Sequence, residues 1–112
     1  MRAIVVAATA ALIFSSANAG GRDREEVYEK CDLVGELAMT IMTGRQTGVP
    51  IKTLIEGAPA SPLGGVTQEI ILWAYEVPEL HSDDMKREVS EVFSRKVTAD
   101  CVQDLLGRQR GE

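Results

Sequence analysis

Apolar residues recur at steps of three and four positions in the first half of the chain. They are Val27, Cys31, Val34, Ala38, Ile41 and Met42. With 3.6 residues per turn, this spacing places them on one face of a helix. Gly48 can adopt the left-handed conformation that ends many helices, and Pro50 opposes a further turn. The pattern therefore predicts a long helix over residues 22–46.

A second long helix is predicted over residues 83–106. Ser82 can cap its first turn, where the charges of Asp83 and Asp84 suit the helix dipole, and Gly107 can end it. An apolar row at four-residue steps follows: Met85, Val89, Phe93, Val97, Cys101 and Leu105. Because each step advances about 40° around the helix, the row slants, which favours partners that cross at about −50°.

Two short helices are predicted between the long ones, over residues 51–56 and 68–76. A proline- and glycine-rich loop, residues 57–65, separates them, and Thr67 can cap the later one. The unbroken apolar run 70–75 suits either a helix or a buried strand, and we favour the helix because no second strand is available for pairing. Within it we expect Trp73 in the core and Tyr75 as a partly exposed contact residue. The predicted fold class is all-α, a compact array of about four helices, two long and two short.

The first residues have the pattern of a secretory signal peptide. Arg2 precedes the apolar run 3–14, and the small-residue sequence Ala17-Asn18-Ala19 resembles a cleavage site. We therefore expect residues 1–19 to be a signal peptide and residues 20–112 to be one small domain, periplasmic or secreted. No later segment approaches 18 consecutive apolar residues, so we expect no stable membrane insertion after cleavage.

The charge balance and the two cysteines add further limits. Removing residues 1–19 takes away one of 12 basic residues and none of the 17 acidic ones, so the formal net charge moves from −5 to −6. This acidity argues against a charge-driven nucleic-acid binder. In an exported chain, Cys31 and Cys101 favour one intramolecular disulfide joining the first and last helices. A free or redox-active pair and an intermolecular bridge are the alternatives.

The sequence offers few groups for catalysis or metal binding. His81 is the single histidine, and it lies beside Ser82 and Asp83 in sequence, which does not make a triad. Asp83 and Asp84 could serve as paired carboxylates, but the first turn of a helix explains both. We therefore expect no catalytic residue, no metal site and no cofactor.

The polar turn 44–48 is the strongest candidate for contact with a partner. Its simplest role is to end the first helix. Arg45 and Gln46 nevertheless offer several hydrogen-bond donors beside glycines, so a docking edge is the functional interpretation. We name Arg45, Gln46 and Tyr75 as possible protein-binding residues.

The chain also resembles a known group of proteins. The resemblance lies in Cys31-x-Leu33-x-x-x-Leu37-Ala38-x-x-Ile41-Met42-x-x-Arg45-Gln46-x-Gly48-Val49-Pro50, followed by Phe93-x-x-x-Val97-x-x-x-Cys101. This pattern is similar to a loose group of small exported helical proteins of bacteria and phages that carry one cysteine pair. The resemblance implies export and a helical fold, and it implies no activity or site.

These features favour an exported, non-enzymatic protein that binds another envelope or secreted protein. One version is an inhibitor or immunity factor for an envelope enzyme, whose basic cleft an acidic surface would complement. The alternatives are a periplasmic stress chaperone that exposes apolar surface when its carboxylates protonate, a small hydrolase using Asp83, Asp84 or His81, and a purely structural envelope component. The oligomeric state and the partner's identity are left open.

Overall fold

Four α-helices follow one another along the described part of the chain. The computed structural model describes the backbone of residues 2–61, 63 and 65–109, and the side chains of residues 23–61, 63 and 65–109. The helices are α1 (Arg2–Gln46), α2 (Ile51–Gly57), α3 (Gly65–Glu76) and α4 (Asp83–Gln109). A short 3-10 helix, Ala58–Ala60, follows α2, and the described backbone contains no strand. The all-α prediction, with two long and two short helices, is confirmed.

Several helix ends differ from the predictions. Thr67 does not cap α3, because the helix begins at Gly65 and the buried Thr67 hydroxyl donates to Ser61 Oγ at 2.8 Å. α4 continues through Gly107 to Gln109. Ser82 does cap α4, since its Oγ accepts the Met85 N–H at 3.1 Å. α1 extends through residue 19 in the full chain; the side chains of residues 1–22 lie outside the described part, and cleavage after Ala19 stays a prediction.

The core lies where α1 faces α3 and α4. Its buried residues come from all three helices and from the 3-10 helix: Val34, Ala38, Ile41, Met42, Ala58, Ile70, Ile71, Ala74, Phe93 and Val97. The predicted apolar face of α1 is thus buried as its spacing requires. The Cys31–Cys101 disulfide is confirmed, with Cα atoms 5.6 Å apart, and it joins α1 to α4.

α1 and α4 run antiparallel and are in contact from Cys31 to the end of α1. Cys31 meets Cys101 near one end, and Lys86 donates from its Nζ to the backbone oxygen of Gln46 near the other. Between them Ser94 Oγ donates to the Gly35 carbonyl oxygen at 2.7 Å. As the residue number rises along α1, the number of the contacting residue on α4 falls. This arrangement differs from the steep crossing that the slanted row predicted.

Gly35 allows the closest approach between these two helices. A Cβ at this position would lie 2.0 Å from Thr98 Oγ1 and 3.3 Å from Thr98 Cβ. Only glycine leaves room for the threonine, which explains a residue that is otherwise unfavourable inside a helix.

The slanted row of α4 explains which of its members are buried. Phe93 and Val97, in the middle, are buried against α1. Because the row rotates around the helix, its ends emerge at the surface, and Met85 is 48% exposed. Met85 therefore lies outside the core, although it belongs to the apolar row, while the middle of the row is buried.

Candidate functional site

Gln46, one of the predicted docking residues, is instead buried at the end of α1. Its side chain is 1% exposed. The amide Nε2 donates to the Pro78 carbonyl oxygen at 3.0 Å, and the amide Oε1 accepts the Leu80 N–H at 2.8 Å. Both ends of the amide therefore bind the segment that connects α3 to α4. A docking role for Gln46 is wrong, because its hydrogen-bonding groups are satisfied inside the protein.

Arg45 and Tyr75 form a second internal contact beside it. Arg45 Nε donates to the Val77 carbonyl oxygen at 3.0 Å, and its guanidinium lies 5.0 Å from the centroid of the Tyr75 ring. The Tyr75 hydroxyl donates to the Val49 carbonyl oxygen. Burial raises the pKa of Tyr75 above its ordinary value, and the positive charge of Arg45 opposes this rise only in part. Both residues are half-buried, and their polar groups hold the loops at the ends of α1 and α3.

Lys86 completes this network from α4. Its Nζ lies 3.5 Å from Glu79 Oε1 and donates to the Gln46 backbone oxygen, one of the carbonyls left free at the end of α1. Gly48 ends the helix with a φ of 89°, as predicted. The segment 44–48 thus has the helix-ending role, and its polar side chains connect three helices.

A continuous apolar groove lies on another part of the surface, between α3 and α4. Both helices pack on α1 but make few direct approaches to each other, so a gap is left between them. Two cavities of about 470 and 480 Å³ occupy this gap and share the lining residues Trp73, Val97 and Asp100. We call them together the α3/α4 groove. Its apolar walls and floor are formed by Val34, Val66, Ile70, Trp73, Val77, Val89, Val92, Phe93, Val97 and Leu105.

Trp73 lies at the junction of the two halves of the groove. Its side chain is 45% exposed, and Val66 and Val92 on the two walls are 44% and 46% exposed. The prediction that Trp73 belongs to the core is wrong. α3 buries Ile70, Ile71 and Ala74 against its neighbours, and that orientation turns the tryptophan into the groove.

Charged side chains border the groove unevenly. On α3 the charged residues are Glu69 and Glu76, both exposed and both acidic. On the other sides the border is mixed: Lys30 of α1 and Lys96 and Asp100 of α4 are exposed, and Asp104 is paired with Arg108 at 3.2 Å. The α3 side of the groove is therefore a purely acidic edge beside an apolar surface.

The residues considered for catalysis do not lie in this groove. His81, Asp83 and Asp84 are exposed at the start of α4, and Asp84 lies 3.8 Å from Arg87. Among the residues with described side chains, no group of three histidine, cysteine or acidic residues could hold a metal ion. In the same part of the chain, no helix is long and apolar enough to cross a membrane.

One sequence signal could have indicated the groove. Six consecutive apolar residues, 70–75, cover more of a helix's circumference than a single neighbour can bury. Some of them must face solvent or a second surface. The pattern does not say which: Leu72 and Trp73 are the exposed members, and Tyr75 is half-buried.

The Cys31–Cys101 disulfide is typical of proteins in oxidising compartments.

Comparison of the chain with protein-family models, with curated proteins and with solved structures finds no match.

Proposed function

We propose that this protein is an exported, non-enzymatic binding module that holds another envelope or secreted protein in the α3/α4 groove. The observation that carries the proposal is the half-exposed Trp73 at the centre of a continuous apolar groove. Tryptophan is enriched among the few residues that dominate protein–protein binding energies, particularly near the centre of an interface. A large contiguous patch of exposed apolar surface is typical of interaction sites and binding grooves.

The scaffold supports this role. The disulfide fixes α1 to α4 close to one end of the groove, since Cys101 itself lines it. At the other end the Gln46 side chain holds the segment between α3 and α4. Walls that are held in place before binding lose less conformational entropy when a partner arrives. The signal-peptide pattern and the disulfide support the exported location.

Site-specific photocrosslinking in the cells that produce the protein tests the proposal. The full chain would carry a photoreactive side chain at Val66 or Val92 in the groove, or at Leu33, which is 60% exposed on α1, as the matched control. We expect one discrete adduct with an envelope or secreted protein from both groove positions and none from position 33. The adduct should disappear when the groove also carries Trp73→Ala, a change at a half-exposed side chain that leaves the buried core intact.

Three outcomes would contradict the proposal. One is the absence of any adduct from the groove positions, and another is an equal adduct from position 33. The third is a ladder of many unrelated adducts, which would favour a chaperone that binds unfolded chains. Circular dichroism of each variant would establish that the fold is retained.

A further inference from the structure

The shape of the α3/α4 groove limits what can occupy it. Both walls are helices, whose backbone hydrogen bonds are satisfied internally, so the groove offers no sheet edge to which an extended peptide could add a strand. α3 has 12 residues and is therefore about 18 Å long. The apolar lining continues along α4 from Val89 to Leu105. A long apolar groove between helices matches the apolar stripe of an amphipathic helix.

The charges at the border limit the occupant further. Glu69 and Glu76 are seven residues apart, so they lie on the same face of α3 and about 10 Å apart along its axis. In the described part of the chain, neither carboxylate takes part in an ion pair. A helix lying along α3 would place side chains seven residues apart beside these two carboxylates. Basic side chains at those positions would complement them, and acidic ones would be repelled.

The same charges argue against a second copy of this chain as the occupant. The chain has a formal net charge of −5, and two copies joined through their grooves would bring two acidic α3 edges together. Like charges across an interface are unfavourable. A basic partner avoids this repulsion and is attracted from a distance by the net charge.

From the groove and its acidic edge we infer that the occupant is a basic amphipathic helix of the partner protein, with Lys or Arg at two positions seven residues apart that pair with Glu69 and Glu76. This inference rests on the proposed function, since it names the chemistry of the partner for the same groove. Trp73 would pack against the apolar stripe of the bound helix. The two acidic residues would set its register along α3.

Synthetic helical peptides of about 14 residues, which span about 21 Å, test the inference with the full oxidised chain. One peptide carries a leucine stripe with two lysines seven apart beside the stripe, and the second has the same composition with both lysines on the opposite face. A third replaces the two lysines of the first by glutamates. Trp73 is the single tryptophan of the chain, so its fluorescence reports directly on occupancy of the groove.

We expect the first peptide to bind about threefold to tenfold more tightly than the second, as two exposed ion pairs allow. The glutamate peptide should bind more weakly still. In a protein with Glu69→Gln and Glu76→Gln, the first two peptides should bind equally. The matched control is Glu29→Gln with Glu36→Gln, two exposed acids with the same seven-residue spacing on α1, and it should leave the preference unchanged.

Several results would overturn this inference. Two of them concern charge: equal binding of all three peptides, and a preference for the first peptide over the second that survives Glu69→Gln and Glu76→Gln. A third is the absence of a fluorescence response to any peptide. The fourth is a fluorescence change with protein concentration alone, which would indicate a second copy as the occupant. The photocrosslinking experiment tests the proposed function independently of these peptide measurements. A discrete adduct from the groove together with charge-independent peptide binding would retain the groove as a binding site and reject the basic helix.

Discussion

Replacement of Gly35 by alanine tests how closely α1 and α4 are packed. In an isolated helix this change is favourable by about 0.5–1 kcal/mol, because glycine loses more backbone entropy on folding. Here the new Cβ would lie 2.0 Å from Thr98 Oγ1, a separation that atoms cannot adopt. Either Thr98 must leave its rotamer and lose its 2.8 Å hydrogen bond to the Ser94 carbonyl oxygen, or the helices must move apart.

The steric cost should exceed the gain in helix propensity. Overpacking a well-filled interface typically costs about 1–3 kcal/mol. Subtracting the propensity gain from the middle of this range, we expect Gly35→Ala to lower the free energy of unfolding by about 1 kcal/mol. In a domain of this size each kcal/mol changes the melting temperature by about 4–8 °C. Urea unfolding followed by far-ultraviolet circular dichroism, with the disulfide intact, measures the change.

Two controls separate the clash from other effects. Gly44 lies in the same helix, and a Cβ there would meet Leu54 Cδ1 at 3.7 Å, an ordinary contact. Gly44→Ala should therefore stabilise the protein by up to about 1 kcal/mol. Thr98→Ala removes the obstructing hydroxyl, so Gly35→Ala should cost much less in that background. Equal or greater stability of Gly35→Ala in the unmodified protein would refute the packing described for α1 and α4.

Three further predictions concern the polar network, the disulfide and alkaline pH. Gln46→Met keeps the side-chain length but leaves the Pro78 oxygen and the Leu80 N–H without partners. It should lower the free energy of unfolding, measured by urea titration, by about 1–3 kcal/mol. An unchanged free energy of unfolding would contradict the buried hydrogen bonds of Gln46. Removal of the Cys31–Cys101 disulfide, which spans 70 residues, by alanine at both positions should cost up to about 4 kcal/mol in the same assay, and reduction of the unmodified protein should reproduce the loss. Burial raises the pKa of Tyr75, so the folded state favours the neutral phenol. The resulting contribution to the free energy of unfolding is present below the ordinary tyrosine pKa and is lost as the pH rises through and above it. Tyr75→Phe should therefore make the fall in the free energy of unfolding between neutral pH and about pH 10.5 shallower. Tyr28→Phe on the exposed side of α1 is the matched control. An identical pH dependence of the two variants would reject the contribution of Tyr75.

The sequence by itself determined the helical character of the two long segments of this protein, because the relevant signals are local. The three- and four-residue apolar spacing of α1 requires a helix to bring its members to one face. Ser82 begins α4 through a hydrogen bond within its own first turn, and Gly48 ends α1 through its own backbone conformation. The cysteine pair followed from parity and from the inward face of Cys31, and the structure joins it.

Only the tertiary structure decided which apolar and polar side chains face the interior. Trp73 and Tyr75 belong to one apolar run, and the position of α1 beside α3 determines that the tryptophan enters the groove while the tyrosine hydroxyl reaches Val49. Gln46 has the sequence of an exposed helix end, yet the return of the chain at Pro78 buries it. The α3/α4 groove is a gap between elements that the sequence specifies one at a time, so the apolar run 70–75 indicates exposed apolar surface but not the groove itself. These features depend on distances between residues that are remote in sequence, and only the packed helices fix those distances.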